Sequence, residues 1–280
     1  MPNASRVCPD CGALNGPSER RCYRCGRGFA GPVGLWLRRT LGGELLATRA
    51  VILACIIVFG LSMAADGTLP LAPEFGLGGR FRVSTWARFG ALFPPLIGYA
   101  PWQLLSAVFF HFSVLHLAFN LMGVVAFGRD LEQRFGPARS LLLFLAAGVL
   151  GYAASIAWSG VHGSPTAGAS GGVFGQLGGV IGVAIVRRQR GWKELLTQNL
   201  VLALVMAFFF RVNTVAHLGG FVVGGLLGVA FELEGRKVWV SRILGPVAVL
   251  GALASIGALV ASMASPIWRE IRAQELMLET

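Results

Sequence analysis

Seven apolar stretches dominate this 280-residue chain and leave it few ways to fold. They run roughly over 50–65, 113–128, 139–158, 168–186, 196–210, 213–231 and 243–264. A helix needs about 20 mostly apolar residues to cross the ~30 Å hydrocarbon core of a bilayer, and each stretch comes near that length. Charged residues make up 13% of the chain and hydrophobic ones 55%, against about 25% and 45–50% in soluble domains. Half the usual charge cannot wet the surface of a soluble body this size, which excludes an ordinary cytosolic enzyme and a disordered chain. The 39 glycines follow no collagen period and suit close helix–helix packing in lipid. The expected fold class is an all-α polytopic membrane protein. Segment 66–112, aromatic and Pro-containing with an apolar piece at Ala91–Ile97, is too broken to span and reads as a membrane-associated loop.

The net charge of +11 follows sidedness rather than nucleic-acid binding. If the stretches cross alternately, eighteen Lys/Arg fall on the N-terminal side and six on the other. The excess of cations on one side marks it as cytosolic. The expectation is a multi-pass protein of the cytoplasmic membrane with a cytosolic N terminus and, with seven spans, an external C terminus. Trp36, Arg38, Arg39 and Arg49 suit a headgroup surface, so residues 31–49 read as a linker or interfacial segment. The basic loop 187–193 reads as a topology signal, with anionic lipid contact as a second reading.

Four of the five cysteines lie in the first 25 residues, as Cys8-Pro-Asp-Cys11 and Cys22-Tyr-Arg-Cys25. Two such knuckles, each followed by Gly, can place four thiolates around one Zn²⁺. Residues 1–30 thus resemble a zinc ribbon with Cys8, Cys11, Cys22 and Cys25 as ligands. The set leaves no open coordination position, so the zinc is structural and catalysis needs no cofactor. Two disulfides would require an oxidising compartment, which a cytosolic N terminus does not meet. A cytosolic protein is the expected partner of the ribbon. Nucleic acid is not, since Tyr23 and Phe29 are the only aromatics up to residue 30. Cys55, in an apolar run, reads as packing.

All thirteen Asp/Glu fall outside the apolar stretches or at their edges. That argues against a proton-coupled transporter and an aspartyl protease, and HExxH is absent. The polar residues left inside are His116, Asn120, Ser170 and His217, with Gln176 and Asn199. Alternating spans bring the first four to one depth, within roughly 10 Å of the outer boundary at 1.5 Å per residue. His116 and Asn120, four apart, share a helix face. Ser170 follows Gly168-Ala169, with Phe174 one turn on. Gly171, Gly175 and Gly179 in the fourth stretch match Gly220, Gly224 and Gly228 in the sixth, and such rows let two helices approach closely. Close approach is what a Ser hydroxyl needs to reach the imidazole that takes its proton. The reading is a Ser170–His217 dyad, with His116, Asn120 and the Ser170 backbone N–H as oxyanion donors.

With these residues in place, the chain resembles the rhomboid family of intramembrane serine proteases over most of residues 90–230. The resemblance rests on Trp102 through Phe110-His111-Phe112-Ser113-Val114-Leu115-His116-Leu117-Ala118-Phe119-Asn120. It rests further on Gly128-Arg129-Asp130-Leu131-Glu132-Gln133-Arg134-Phe135-Gly136, on Gly168-Ala169-Ser170-Gly171, and on Ala216-His217-Leu218-Gly219-Gly220-Phe221-Val222-Val223-Gly224. It implies a six-helix rhomboid core with a cavity open to the outer face and a seventh C-terminal transmembrane helix. It also implies Ser170 as nucleophile, His217 as base, His116 and Asn120 as oxyanion hole, and Phe174 packed on His217, with Gly168 and Gly220 supporting the dyad. The implied substrates are membrane-anchored proteins cut in or near a transmembrane helix. The chain departs from the family at Trp102-Gln103, where Trp-Arg is usual. The expected organisation is zinc ribbon 1–30, linker 31–49, rhomboid core 50–232, then basic loop, seventh span and tail over 233–280. His111 reads as structural, His162 as having no specific role, and Glu132 as a loop-stapling acceptor. The competing reading is a non-catalytic rhomboid-like protein that binds or remodels membrane clients.

Overall fold

The computed structural model describes residues 5–8, 13–16, 19, 21–24, 45–209, 212–235 and 238–279. Near the N terminus, β1 (Arg6–Val7) pairs antiparallel with β2 (Leu14–Asn15). The Cys8 N–H donates to Ala13 O at 2.8 Å, extending that pairing by one bond. Cys8 and Cys22 are buried together with Ala13. Cys11, Cys25 and linker residues 31–44 lie outside the described residues.

The rest of the regular structure among the described residues is helical. In chain order it comprises α1 (Leu46–Asp66), α2 (Val83–Arg88), α3 (Gln103–Ser106) and α4 (Val114–Gly123), which runs through a π-turn (Val124–Gly128) into α5 (Arg129–Phe135). Then come α6 (Pro137–Ser159), α7 (Ser170–Val186), α8 (Trp192–Phe209), α9 (Thr214–Glu234), α10 (Val238–Ala264) and α11 (Ile267–Glu279). Among the described residues, five helical runs are long and apolar enough to cross a membrane: Leu46–Asp66, Val114–Phe135, Pro137–His162, Thr214–Glu234 and Trp239–Glu279. Ser170–Val186 is a shorter apolar helix. The chain is a polytopic, mainly α-helical membrane protein.

Local chemistry sets the helix ends. Gly67 takes the left-handed conformation after α1 (φ 77°) and its N–H bonds Met63 O, the usual glycine solution to a helix C-terminus. Gly136 (φ 83°) separates α5 from α6, and Pro137 opens α6, where its missing N–H costs nothing.

Several helical boundaries differ from the sequence expectation, α8 starting at Trp192 rather than 196 and α10 at Val238 rather than 243 among them. The first membrane helix starts at Leu46 rather than 50, because the buried Glu132 carboxylate accepts the Ala47 N–H (2.8 Å), the Thr48 N–H (2.8 Å) and the Thr48 hydroxyl (2.7 Å). A carboxylate on orphan first-turn N–H groups stabilises that end of the helix. The expected loop 129–139 is mostly helix to Phe135, since Leu131, Glu132 and Phe135 are all buried on one face. Residues 267–279 form a helix rather than a tail. There the Arg88 guanidinium lies 4.7 Å over the Trp268 ring, and Ser84 donates from N–H and hydroxyl to Glu275.

Of segment 66–112, residues 67–80 are mostly exposed and the part from Phe81 on packs into the core. Phe81, Phe89, Leu92, Phe93, Val108 and Phe110 are buried there. Gln103, at the position where the family's Arg is expected, is buried and its Oε1 accepts the Phe93 N–H at 3.0 Å.

Candidate active site

The glycine rows face each other. A side-chain carbon added at Gly220 would strike the Gly171 carbonyl, one at Gly224 the Gly175 carbonyl, and one at Gly228 the Gly179 carbonyl at 2.5 Å. Helices α7 and α9 therefore touch backbone to backbone over three rungs, a separation that any larger residue would widen.

The 17 residues of α7 rise about 26 Å, less than the ~30 Å hydrocarbon core. The loop before Ser170 is irregular backbone packed against the protein interior, where its polar groups need protein partners. Thr166 exchanges two backbone bonds with Leu92, at 2.9 and 3.0 Å. The Gly168 N–H donates to Ala107 O at 2.8 Å, and Gly168 O accepts the Tyr152 hydroxyl at 2.7 Å. The Ala169 N–H donates to His111 Nε2 at 3.3 Å, while His111 Nδ1 lies 3.2 Å from Phe109 O. An acceptor role at Nε2 puts the His111 proton on Nδ1.

Within this frame His217 Nε2 lies 2.7 Å from Ser170 Oγ. Phe174 stacks on the His217 ring, centroids 4.4 Å apart and planes 11° from parallel. Gly168 adopts φ 122°, and a side-chain carbon there would meet His116 Cε1 and Nε2 at 2.7 Å and Asn120 Nδ2 at 3.7 Å. The absent side chain at Gly168 thus lets both His116 and Asn120 close on the loop two residues before Ser170. Ser113 caps α4 by accepting the His116 N–H (3.1 Å), and Asn120 Nδ2 donates to His116 O (2.9 Å). His116 stacks on Phe112 at 6.0 Å. Ser170, His217, His116, Asn120, Gly168, Phe174 and Gly220 therefore lie in one neighbourhood, and Glu132 lies at the opposite end of its helical run. His162 is exposed in a short turn after α6.

Tyr152 and the loop contact of His111 had no signal in the sequence pattern. Tyr152 is one aromatic in an apolar helix, and its partner becomes visible only when the 163–169 loop folds back. Asn213 did carry a signal, an N-cap residue directly before an apolar run.

Residues 99–233 match the family model described as Rhomboid domain. Rhomboid protease GluP of Bacillus subtilis is 33% identical over 198 residues, covering 69% of this chain and 38% of that protein. RHOMBOID-like protein 4 of Arabidopsis thaliana is 31% identical over 151 residues, covering 52% of this chain and 38% of that one. Rhomboid-like protease 1 of Toxoplasma gondii is 30% identical over 206 residues, covering 68% and 67% respectively. The chain spans under half the length of the first two and two thirds of the third.

Proposed function

The chain belongs to the rhomboid family, and from that premise we propose that it is an intramembrane serine endopeptidase working through a Ser170–His217 dyad. The observation that carries the reading is the 2.7 Å contact between Ser170 Oγ and His217 Nε2. A serine hydroxyl becomes nucleophilic when a base removes its proton as it attacks. His217 takes that proton as Ser170 Oγ bonds to the scissile carbonyl carbon, then gives it to the departing amine. Water attacks the acyl-enzyme with His217 again as base, and His217 returns that proton to Ser170 Oγ as the ester bond breaks and the carboxyl product leaves. The imidazole needs a fixed ring plane for both transfers, and Phe174 supplies it.

The oxyanion forms at the N-terminus of α7. First-turn N–H groups of a helix have no intrahelical acceptor and carry partial positive charge. The Ser170 N–H, the Asn120 amide and the His116 imidazole are the proposed donors. Each preorganised donor aimed at developing charge is worth about 10²–10³ in rate.

The proposed substrates are membrane-anchored proteins cleaved in or near a transmembrane helix, because the dyad sits at a depth where other scissile bonds are not presented. The proposed topology is a six-helix core of α1, α4–α5, α6, α7, α8 and α9, with α10 as a seventh span. The N terminus lies in the cytosol of a cell whose cytoplasmic membrane holds the protein, as the 18-to-6 split of Lys/Arg supports. Residues 1–30 form a zinc ribbon. The burial of Cys8 and Cys22, one from each knuckle, in a single cluster fits that ligand set. Zinc there folds the ribbon and takes no part in peptide cleavage, and the ribbon serves a cytosolic protein partner.

Ser170→Ala and His217→Ala are each expected to lower cleavage of a transmembrane model substrate by about 10⁴-fold or more, since either half alone leaves no activated nucleophile. A client-binding rhomboid-like protein would keep its function in Ser170→Ala, and turnover equal to wild type would refute the dyad.

A further inference from the structure

One residue touches both halves of the dyad's support. Asn213 caps α9: its Oδ1 accepts the Ala216 N–H at 3.0 Å, and its backbone carbonyl accepts the His217 N–H at 3.1 Å. The same side chain donates from Nδ2 to Ser155 Oγ of α6 at 2.8 Å and reaches Thr166 Oγ1 at 3.4 Å. Thr166 stands four residues before Ser170, and both its backbone groups are held by Leu92. A single amide thus links the first turn of the helix that carries His217 to the loop that delivers Ser170.

Such a link has a specific task here. Helices normally keep their register because side-chain ridges of one sit in grooves of the other. Where α7 meets α9 three contact rungs are glycine on glycine, and interlocking is left to contacts such as Phe174 on His217 and Val229 beside Gly182. The glycines set the distance between the helices, and Arg187 paired with Glu232 ties their far ends, so the end that carries the dyad needs a tie of its own. A shift of about 1 Å at a reacting pair can cost roughly 10²-fold in rate.

We propose that Asn213 is a positioning residue that pins the start of α9 to the Ser170 loop and so fixes the register of the dyad. The inference rests on the Ser170–His217 reading above. Asn213 acts through its neighbours and touches no reacting atom.

The discriminating variant is Asn213→Ser. Serine still caps a helix, but its side chain is too short to reach Ser155 and Thr166. Four quantities are measured in detergent: thermal midpoint, kcat and KM for a transmembrane model substrate, and the rate of fluorophosphonate labelling at Ser170. The expected result is a midpoint within a few degrees of wild type, an unchanged KM, and kcat and labelling rate both lower by about 10–100-fold. Ser155→Ala should give a smaller fall. Combined with Asn213→Ser it should add nothing, because the bond is already lost. Wild-type kcat and labelling in Asn213→Ser would overturn the proposal, as would a loss of activity that merely tracks a lower midpoint. Wild-type protein that the probe does not label at Ser170 would instead overturn the dyad itself.

Discussion

At the Ser170 end of α7 and α9 the polar contacts run between neutral groups, whereas at the far end they run between full charges. Around the dyad, Tyr152 meets the Gly168 carbonyl, the Ala169 N–H meets His111, and Asn213 meets Ser155. At the other end Arg134 and Arg187 both reach Glu232 at 2.7 Å, and Arg139 grips Glu234 at 2.6 Å while donating to Ser241 at 3.1 Å. Glu132 caps α1 at the same end. Neutral hydrogen bonds contribute about 1 kcal/mol net each and serve mainly to set geometry. Breaking a largely buried ion pair leaves an unpaired charge and costs about 3–5 kcal/mol. The charged end therefore holds the bundle together, and the neutral end is left to hold reacting atoms in place.

Substitutions can separate these two roles. The largest effect on rate outside the dyad is expected from Asn120→Ala, with turnover falling about 10²–10³-fold and the thermal midpoint almost unchanged. Steady-state kinetics beside a melting curve in detergent would check it. Normal turnover in Asn120→Ala and His116→Ala combined would leave the oxyanion to the Ser170 backbone alone.

Gly224→Ala lies between the two ends and should disturb both properties. Its new methyl meets the Gly175 carbonyl, and such overpacking typically costs about 1–3 kcal/mol. A parted ladder should also slow labelling of Ser170 by up to about 10²-fold. An unchanged midpoint would mean that the helices separate freely there.

Arg139→Ala should show the reverse pattern. Its side chain is 5% exposed and that of Glu234 14%, so removal should cost about 3 kcal/mol of stability. The kcat of the protein that remains folded should stay within about twofold, given the distance to the dyad. A large fall in kcat with an unchanged midpoint would mean the two ends are coupled.

The smallest effect is expected from chelation. Removing metal, or changing Cys8 and Cys11 to Ser, should abolish zinc binding by residues 1–30, since two thiolates cannot hold the ion. Cleavage of a generic substrate in detergent should continue at the wild-type rate. Zinc content and turnover measured on one sample decide it, and joint loss of both would place the ribbon within the catalytic machinery.

Five of the seven apolar stretches recur among the described residues as helices long and apolar enough to cross a membrane, because long apolar runs have one solution in lipid. The glycine rows and the four polar residues were legible for a related reason: helical spacing and alternating direction bring them together before any packing detail is known. The helix starting at Leu46 was not, since it depends on Glu132, 84 residues away from Thr48. The helix Ile267–Glu279 carries too much charge for a span, and its partners Ser84 and Arg88 lie in the irregular 66–112 segment. That segment itself resists pattern reading because its short helices answer to tertiary contacts rather than to a period. The supports of the Ser170 loop, His111 and Tyr152, failed to stand out for the same reason.

The most direct test of the account treats detergent-solubilised protein with a fluorophosphonate probe and locates the modified residue by mass spectrometry. The account predicts a single adduct at Ser170 that disappears in His217→Ala, because the 2.7 Å contact makes the imidazole the only base in reach of that hydroxyl among the described residues. An adduct at another serine, or labelling of Ser170 at an equal rate without His217, would contradict it.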